Sequence, residues 1–189
     1  MSTRYFRLEE EVLAGNWYLG TPLDAHGEEL EDMREFSSGE PVHARSGMMI
    51  PISESGRRRD FNMAGAGRTP VVHIKVATLF AELAPDDVQL IPVDIKGCPD
   101  EYQILVATRR IRCIDDQASE EILRWKPEDE RPDKFGMYRG VYGMRIDKSK
   151  VGDAKVFRTW GWTVALIVSE DIKNAMERAR VTGAEFEEV

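Results

Sequence analysis

Residues 157–189 decide the fold, and they read FRTWGWTVALIVSEDIKNAMERARVTGAEFEEV. Within this stretch Val164–Val168 is a continuous apolar run that contains three β-branched residues. Runs of this kind are typical of strands that are covered on both faces. The stretch therefore predicts a buried strand close to the end of the chain.

A helix is predicted directly after this strand. Ser169 suits the N-cap position, and Glu170 and Asp171 place negative charge against the positive end of the helix dipole. Gly183 fits the position that follows a helix, and residues 184–189 then predict a short exposed strand. The stripe that faces the sheet recurs at helical spacing and comprises Ile172, Ala175, Met176 and Ala179.

The preceding residues predict one more helix and several strands. Apolar residues at helical spacing predict a helix over about 73–84, which ends at Pro85. Runs rich in β-branched residues predict paired strands over 88–95 and 102–108, and another strand over 138–146. No internal repeat is visible. We therefore predict an α+β fold in which two or three helices pack on a mainly antiparallel sheet.

The chain is expected to divide near Gly67. Residues 64–67 read Ala-Gly-Ala-Gly and are interpreted as a flexible hinge at the end of the segment 61–67. The stretch lacks the Lys–Ser/Thr pair of a phosphate-binding loop, which excludes a nucleotide site of that type. The predicted division is a smaller, strand-rich N-terminal part over 1–67 and an α+β domain over 68–189.

The charge balance bears on the partners of the protein. The 189 residues carry a formal net charge of −8, which disfavours broad contact with nucleic acid or anionic membrane. We expect no secretory signal in the polar residues 1–15 and no membrane span, since no apolar run approaches the required ~20 residues. With only two cysteines, Cys98 and Cys113, a disulfide framework is not predicted, and a cytoplasmic location is expected.

A strongly acidic segment extends from Asp24 to Glu40. Solvation of a surface or loop is the ordinary explanation of such a run. The alternative is an acidic patch that binds a basic partner. The candidate residues for this patch are Glu28, Glu29, Glu31, Asp32 and Glu35.

The sequence contains no recognisable catalytic or metal-binding motif. The three histidines, His26, His43 and His73, are widely spaced and lack the paired spacing of zinc ligands. We therefore expect neither a metal nor another cofactor.

An enzyme or small-ligand-binding protein remains the alternative class. It would use a polar pocket near Arg109, Arg112, Asp115 and Asp116, because side chains at strand ends often carry function. Adjacent aspartates after a strand also serve as turn formers and helix caps. A deep pocket with converging ionisable groups would favour this class.

Trp160 and Trp162 flank Gly161 directly before the buried strand. In an extended chain both side chains would point to the same face. They either cap the core or form an interface anchor, because Trp, Tyr and Arg dominate binding hot spots. Exposed residues around Trp160 and Phe186 would also suit a homodimer.

Eight short motifs lie in order along the chain: Trp17–Asp24, Thr69–Val72, Leu83–Gln89, Arg112–Asp115, Arg145–Val151, Val156–Trp162, Ile167–Glu170 and Thr182–Phe186. Taken together, they resemble the eleventh immunity-protein family of bacterial polymorphic toxin systems. The similarity covers roughly residues 68–189. Residues 17–24 also fit, and with them the sequence resembles the myxobacterial branch of the family. None of the motifs is a chemical signature.

The resemblance implies a protein that binds and neutralises a cognate toxin, usually encoded in an adjacent gene, without catalysis. It supplies no active-site residues to carry over. An acidic surface would suit a basic toxin domain, whose positive cleft it could block. The sequence therefore predicts an immunity protein that occludes its partner, with the five carboxylates and the two tryptophans as candidate contact residues.

Overall fold

The computed structural model describes residues 2–189. Two five-stranded sheets and two α-helices make up most of the structure, and two further strand pairs lie outside the large sheets. The helices are α1 (Ile74–Leu83) and α2 (Glu170–Arg178). The strands are β1 (Tyr5–Glu10), β2 (Tyr18–Leu19), β3 (Met48–Ile50), β4 (Ile52–Glu54), β5 (Phe61–Ala64), β6 (Thr69–His73), β7 (Val88–Ile95), β8 (Tyr102–Ala107), β9 (Arg110–Ile111), β10 (Glu121–Arg124), β11 (Tyr138–Tyr142), β12 (Val156–Thr159), β13 (Trp162–Ser169) and β14 (Ala184–Glu188).

The two large sheets are built from different parts of the chain. The middle sheet has the strand order β3-β7-β8-β6-β5, and the terminal sheet has the order β14-β1-β13-β12-β9. Both sheets are antiparallel except at one edge, where β3 runs parallel to β7 and β9 runs parallel to β12. The small pairs are β2–β4 and β10–β11. These observations confirm the predicted α+β class with mainly antiparallel pairing.

One arrangement occurs twice, although the sequence shows no repeat. In the middle sheet the hairpin β5–β6 passes directly into α1, and β7 and β8 then complete the order β7-β8-β6-β5. In the terminal sheet the hairpin β12–β13 passes directly into α2, and β14 follows. The position that corresponds to β8 is filled by β1, from the opposite end of the chain. The first strand therefore completes the unit formed by the last thirty or so residues.

Three clusters of buried side chains follow the sheets. The central cluster joins both sheets and both helices, and Leu8, Phe80 and Leu166 are essentially inaccessible within it. A second cluster covers the other face of the terminal sheet around Phe157, and a third covers the middle sheet around Trp17. Burial of such side chains stabilises a fold by roughly 1.5–3 kcal/mol each. The chain therefore has a continuous core that crosses both sheets.

The C-terminal prediction is confirmed in its order of elements and corrected at three positions. Val164, at the open end of the predicted buried run, and Ala179, which follows the last residue of α2, are both exposed. The third correction concerns Gly183. Ser169 is the N-cap of α2, as expected. The helix ends in a Schellman arrangement, in which the N–H of Val181 donates to the Met176 carbonyl and that of Arg180 to the Glu177 carbonyl. Arg180, with φ +52°, therefore occupies the left-handed position that we expected for Gly183.

Gly183 is required by a close approach in the turn before β14. Its φ is +88°, and a Cβ there would overlap the carbonyl oxygen of Phe61. We expect Gly183→Ala to lower the free energy of unfolding by about 2–3 kcal/mol in urea denaturation, from backbone strain and overlap together. Gly152, at φ +68° with open space around it, is the matched control, and its replacement should cost only about 1 kcal/mol. Equal effects would contradict the proposed overlap.

The region interpreted as a hinge has regular structure. Residues 61–64 form the buried strand β5, and residues 65–68 form the turn to β6. Gly67 is buried, and the hydroxyl of Ser37 donates to its carbonyl at 3.2 Å. Pairing thus crosses the boundary that we predict at residue 67, and the division into two domains stays a prediction. Among residues 2–189 no helix has the length and apolar character to cross a membrane.

Candidate functional site

The acidic segment is held in a defined conformation by its backbone. Leu23 forms one β-bridge with Glu29 and another with Met49, which belongs to the edge strand β3. The Asp24 carboxylate accepts hydrogen bonds from the N–H groups of Glu28 and His26, at 3.0 and 2.8 Å. These bonds lower the pKa of the Asp24 carboxyl, so it stays ionised. The segment is therefore a structured turn.

The carboxylates proposed from the sequence line one open cavity with a volume of about 780 Å³, here called the acidic concavity. Glu28, Glu29, Glu31 and Asp32 are exposed. Glu35 differs from them, since it is half-buried and its carboxylate lies 3.0 Å from the Arg45 guanidinium. The concavity is lined by the acidic residues Asp24, Glu28, Glu29, Glu31, Asp32 and Glu35, with Arg45 as a cation.

The two tryptophans belong to a tight hairpin. Thr159 pairs with Trp162, so Trp160 and Gly161 form the turn between β12 and β13, with Gly161 at φ +78°. The Thr159 hydroxyl donates to the Trp162 carbonyl at 2.6 Å. Both indoles are half-buried. The extended conformation that we assumed for this segment is wrong at Trp160, but both side chains still line one cavity.

This second cavity, of about 650 Å³, lies between the hairpin, β9 and the β10–β11 pair, and is here called the aromatic groove. Asp32 lines both the groove and the acidic concavity, so the two candidate sets from the sequence adjoin each other. The aromatic side chains of the groove are Trp125, Tyr138, Trp160 and Trp162. Its charged side chains are Asp32, Arg34, Arg110, Lys134 and Arg139.

Of the residues that line the groove, the sequence pointed only to Asp32, Trp160 and Trp162 as contact residues. The segment 125–135 received no role from the sequence. The signal that it carried is Trp125 followed by basic residues, because Lys134 and Arg139 approach the Trp125 ring to 5.0 and 5.9 Å. Arg34 and Arg110 come from distant segments and gave no such signal.

The four residues of the alternative pocket do not form one cluster, although the positive charge of Arg112 contributes to the lowered pKa of the Asp116 carboxyl. Arg109 binds Asp87 and Asp153, at 3.1 and 3.0 Å, and Arg112 lies 4.4 Å from the centroid of the Trp160 ring. Asp115 accepts hydrogen bonds from the backbone of the turn that follows it. Over residues 2–189 no hydrogen bond or ion pair joins any two of the four. The cavities described here are lined by other residues.

Asp116 supports the wall of the aromatic groove. Its carboxylate accepts a hydrogen bond from the Tyr138 hydroxyl at 2.6 Å and pairs with Arg124. Burial alone would raise the pKa of the Asp116 carboxyl, but the bonds from Tyr138 and Arg124 outweigh it and lower the pKa. The Arg124 guanidinium also lies 4.5 Å from the centroid of the Tyr138 ring. Asp116 therefore positions Tyr138.

The structure also locates the cysteines. Cys113 is buried, and burial raises the pKa of its thiol to about 12, so the thiol stays protonated at neutral pH. Cys98 is half-buried. In the described part of the chain, no group of three or more His, Cys, Asp or Glu side chains is arranged to hold a metal ion.

Comparison with models of protein families gives a match. The model of a family described as the immunity protein family (Imm11) matches residues 78–189, which is more than half of the 189 residues. No curated protein matches the chain. The matched segment contains Trp125, Tyr138, Trp160 and Trp162 of the aromatic groove. Asp32 and the other carboxylates of the acidic concavity lie before it.

Proposed function

The chain belongs to the Imm11 family of immunity proteins, and from this premise we propose that it protects a cell by binding a toxin and covering the surface with which the toxin acts. Family membership is the observation that carries the proposal. In this mechanism the protein changes no covalent bond in its partner. Inhibition follows from occupancy alone, so it requires an affinity that exceeds that of the toxin for its target.

The acidic concavity supports a basic partner surface. Four exposed carboxylates, Glu28, Glu29, Glu31 and Asp32, lie on one ordered segment. Charge complementarity of this kind speeds encounter and selects partners more than it adds to final affinity. We propose that the concavity faces a positively charged cleft of the toxin, such as one that binds a nucleic acid substrate.

The proposal also covers the gene that encodes the toxin, the location of the protein in the cell and its oligomeric state. We propose that the toxin is encoded in an adjacent gene and that the protein acts in the cytoplasm, where it meets the toxin before or after entry. A homodimer through Trp160 and Phe186 stays a prediction. Phe186 is half-buried in β14, where Glu185, Glu187 and Glu188 are exposed, and like charges would oppose edge-to-edge pairing of two copies.

Co-expression tests the function directly. The adjacent gene product is expressed in a heterologous bacterium, alone and together with this protein, and growth is followed. We expect growth arrest by the toxin alone and recovery in the presence of the protein. Continued arrest in the presence of folded protein would contradict the immunity function.

Charge reversal tests the proposed contact surface. We expect the variant Glu28→Lys/Glu29→Lys/Glu31→Lys/Asp32→Lys to associate about 10- to 1000-fold more slowly with the toxin at low salt, because electrostatic steering is lost. The rate is measured by stopped-flow fluorescence. Glu35 is left intact because it pairs with Arg45.

The matched control reverses four exposed carboxylates elsewhere: Glu54, Glu82, Asp94 and Glu101. The two variants have the same net charge, so a difference between them reports the position of the charges. Equal association rates for both variants would show that only the overall charge matters, and would exclude the acidic concavity as the contact surface.

A further inference from the structure

The charge of the aromatic groove is opposite in sign to the net charge of the whole molecule. The chain carries a net charge of −8, yet the groove is lined by four cations and a single carboxylate. Three tryptophans and a tyrosine lie among these charges. Trp, Tyr and Arg are the residues that most often dominate binding energy at protein interfaces. The groove is therefore distinct in chemistry from the acidic concavity beside it.

Two of the four cations have no carboxylate partner in the described chain. The Arg110 guanidinium lies 2.5 Å from the Glu40 carboxylate, and that of Arg139 lies 3.3 Å from Asp129. Over residues 2–189, Arg34 and Lys134 pair with no carboxylate side chain. These two charges remain available to an anionic group from outside.

The aromatic side chains are held before any partner arrives. Arg112 packs on Trp160 at 4.4 Å, and Lys134 lies 5.0 Å from the Trp125 ring. Tyr138 is held by its bond to Asp116. A Cβ on Gly161 would lie 3.0 Å from the Tyr138 ring, so hairpin and wall are in close contact. Rigid aromatic surfaces bind at a low cost in conformational entropy.

We propose that the aromatic groove binds an acidic segment of the partner protein, with carboxylates at Arg34 and Lys134 and an apolar side chain against the tryptophans. This inference rests on the proposed function and adds a second contact of opposite charge. The toxin would then present a basic cleft to the acidic concavity and an acidic segment to the adjoining groove, with Asp32 at the border. Such alternation fixes the register of two proteins and rejects wrong partners.

Single-stranded nucleic acid also combines negative charge with rings that stack on tryptophan. A long polyanion that extends past Asp32, where the acidic concavity adjoins the groove, would however meet the carboxylates of that concavity. A short acidic protein segment avoids this repulsion. The charge distribution therefore favours protein over nucleic acid.

The indole N–H signals of the four tryptophans provide a site-specific measurement by NMR. The full-length protein is titrated with a glutamate-rich peptide that contains phenylalanine, with its lysine counterpart, and with oligothymidylate. Trp17 is an internal control, because it is buried and its indole nitrogen donates to Asn62 at 2.8 Å. We expect the acidic peptide to shift the signals of Trp125, Trp160 and Trp162 and to leave that of Trp17 unchanged.

Two double variants that change the net charge of the protein by the same amount give the decisive comparison. Arg34→Glu/Lys134→Glu should weaken binding of the acidic peptide at least about ten-fold, since it replaces both unpaired cations. Lys96→Glu/Arg178→Glu changes two exposed cations outside the groove and should bind normally. Unchanged binding by the groove variant would overturn the proposal. The proposal would also be overturned if the lysine peptide shifted the tryptophan signals equally, or if oligothymidylate bound more tightly than the acidic peptide. Self-association of the wild-type protein that only the groove variant loses would overturn it as well.

The growth assay separates this inference from the proposed function. If the wild-type protein protects cells and the groove variant protects equally well, the groove is not a toxin contact, although the immunity function stands. If the wild-type protein fails to protect, the immunity function fails whatever the peptide binds. Loss of protection in the groove variant alone, with its fold intact by circular dichroism, supports both.

Discussion

Deletion of residues 1–12 is expected to abolish the folded state. These residues include β1, which lies between β13 and β14 in the terminal sheet, and within the described chain β14 pairs only with β1. Tyr5, Phe6 and Leu8 are all at most 5% exposed. Loss of a buried side chain of this size costs about 2–5 kcal/mol, so the combined removal of the three, about 6–15 kcal/mol, is as large as the usual stability of a domain, about 5–15 kcal/mol.

The measurement is far-UV circular dichroism with urea denaturation of the shortened chain. Removal of Ser2 and Thr3 alone is the control, because both residues are exposed and precede β1. This shorter deletion should leave the unfolding midpoint unchanged. A cooperative transition at the wild-type midpoint in the long deletion would contradict the role assigned to β1.

The same measurement on residues 68–189 tests the boundary predicted at residue 67. That segment lacks β1 and also β5, which pairs with β6 over four residue pairs. Cooperative unfolding of the isolated segment would support two domains. Failure to fold would show that residues on both sides of the boundary form one cooperative unit.

Asp87→Asn is expected to lower the free energy of unfolding by about 2–4 kcal/mol. The Asp87 side chain is buried in the loop between α1 and β7, and its carboxylate accepts three hydrogen bonds. Two come from the backbone N–H groups of Lys155 and Val156, at 2.7 and 3.2 Å, and one from Arg109 at 3.1 Å. One carboxylate thus joins the middle sheet to the first residues of β12 in the terminal sheet.

An amide in its place removes the charge and presents a donor to groups that are themselves donors. The neighbouring Asp86 is exposed, and Asp86→Asn is the matched control, with an expected change within about 0.5 kcal/mol. Urea denaturation of both variants gives the comparison. Equal midpoints would mean that the three hydrogen bonds contribute nothing to stability.

The sequence did not distinguish these two aspartates. Both directly follow Pro85, at which the predicted helix ends, and α1 does end nearby at Leu83. Which of the two carboxylates is buried depends on β12, about seventy residues later in the chain. Local patterns carry no information about such a partner.

Arg158 is a second residue whose environment only the fold could reveal. It is 1% exposed, and its guanidinium donates to the carbonyls of Thr163 and Val164 at 3.2 and 3.1 Å. Burial lowers the pKa of the guanidinium to about 10, so the group still carries its charge at neutral pH. A basic residue within a short strand would ordinarily be assigned to the surface.

The sequence by itself determined the local elements, the fold class and the family. The strand and the second helix follow from hydrophobic periodicity, which acts over a few residues. Ser169 occupies the predicted N-cap position, although its side chain makes no capping hydrogen bond. The family motifs are likewise short and lie in order along the chain.

Only the tertiary structure decided which elements meet. It placed β1 beside β13 and β14, repeated one strand–helix unit by using both ends of the chain, and brought Asp32 and Trp160 into the lining of one groove. It also separated Asp115 and Asp116 into different contacts. Strand pairing between distant segments is selected by the packing of the whole core, because each strand presents similar backbone donors and acceptors. A binding surface therefore combines side chains whose proximity no local pattern contains.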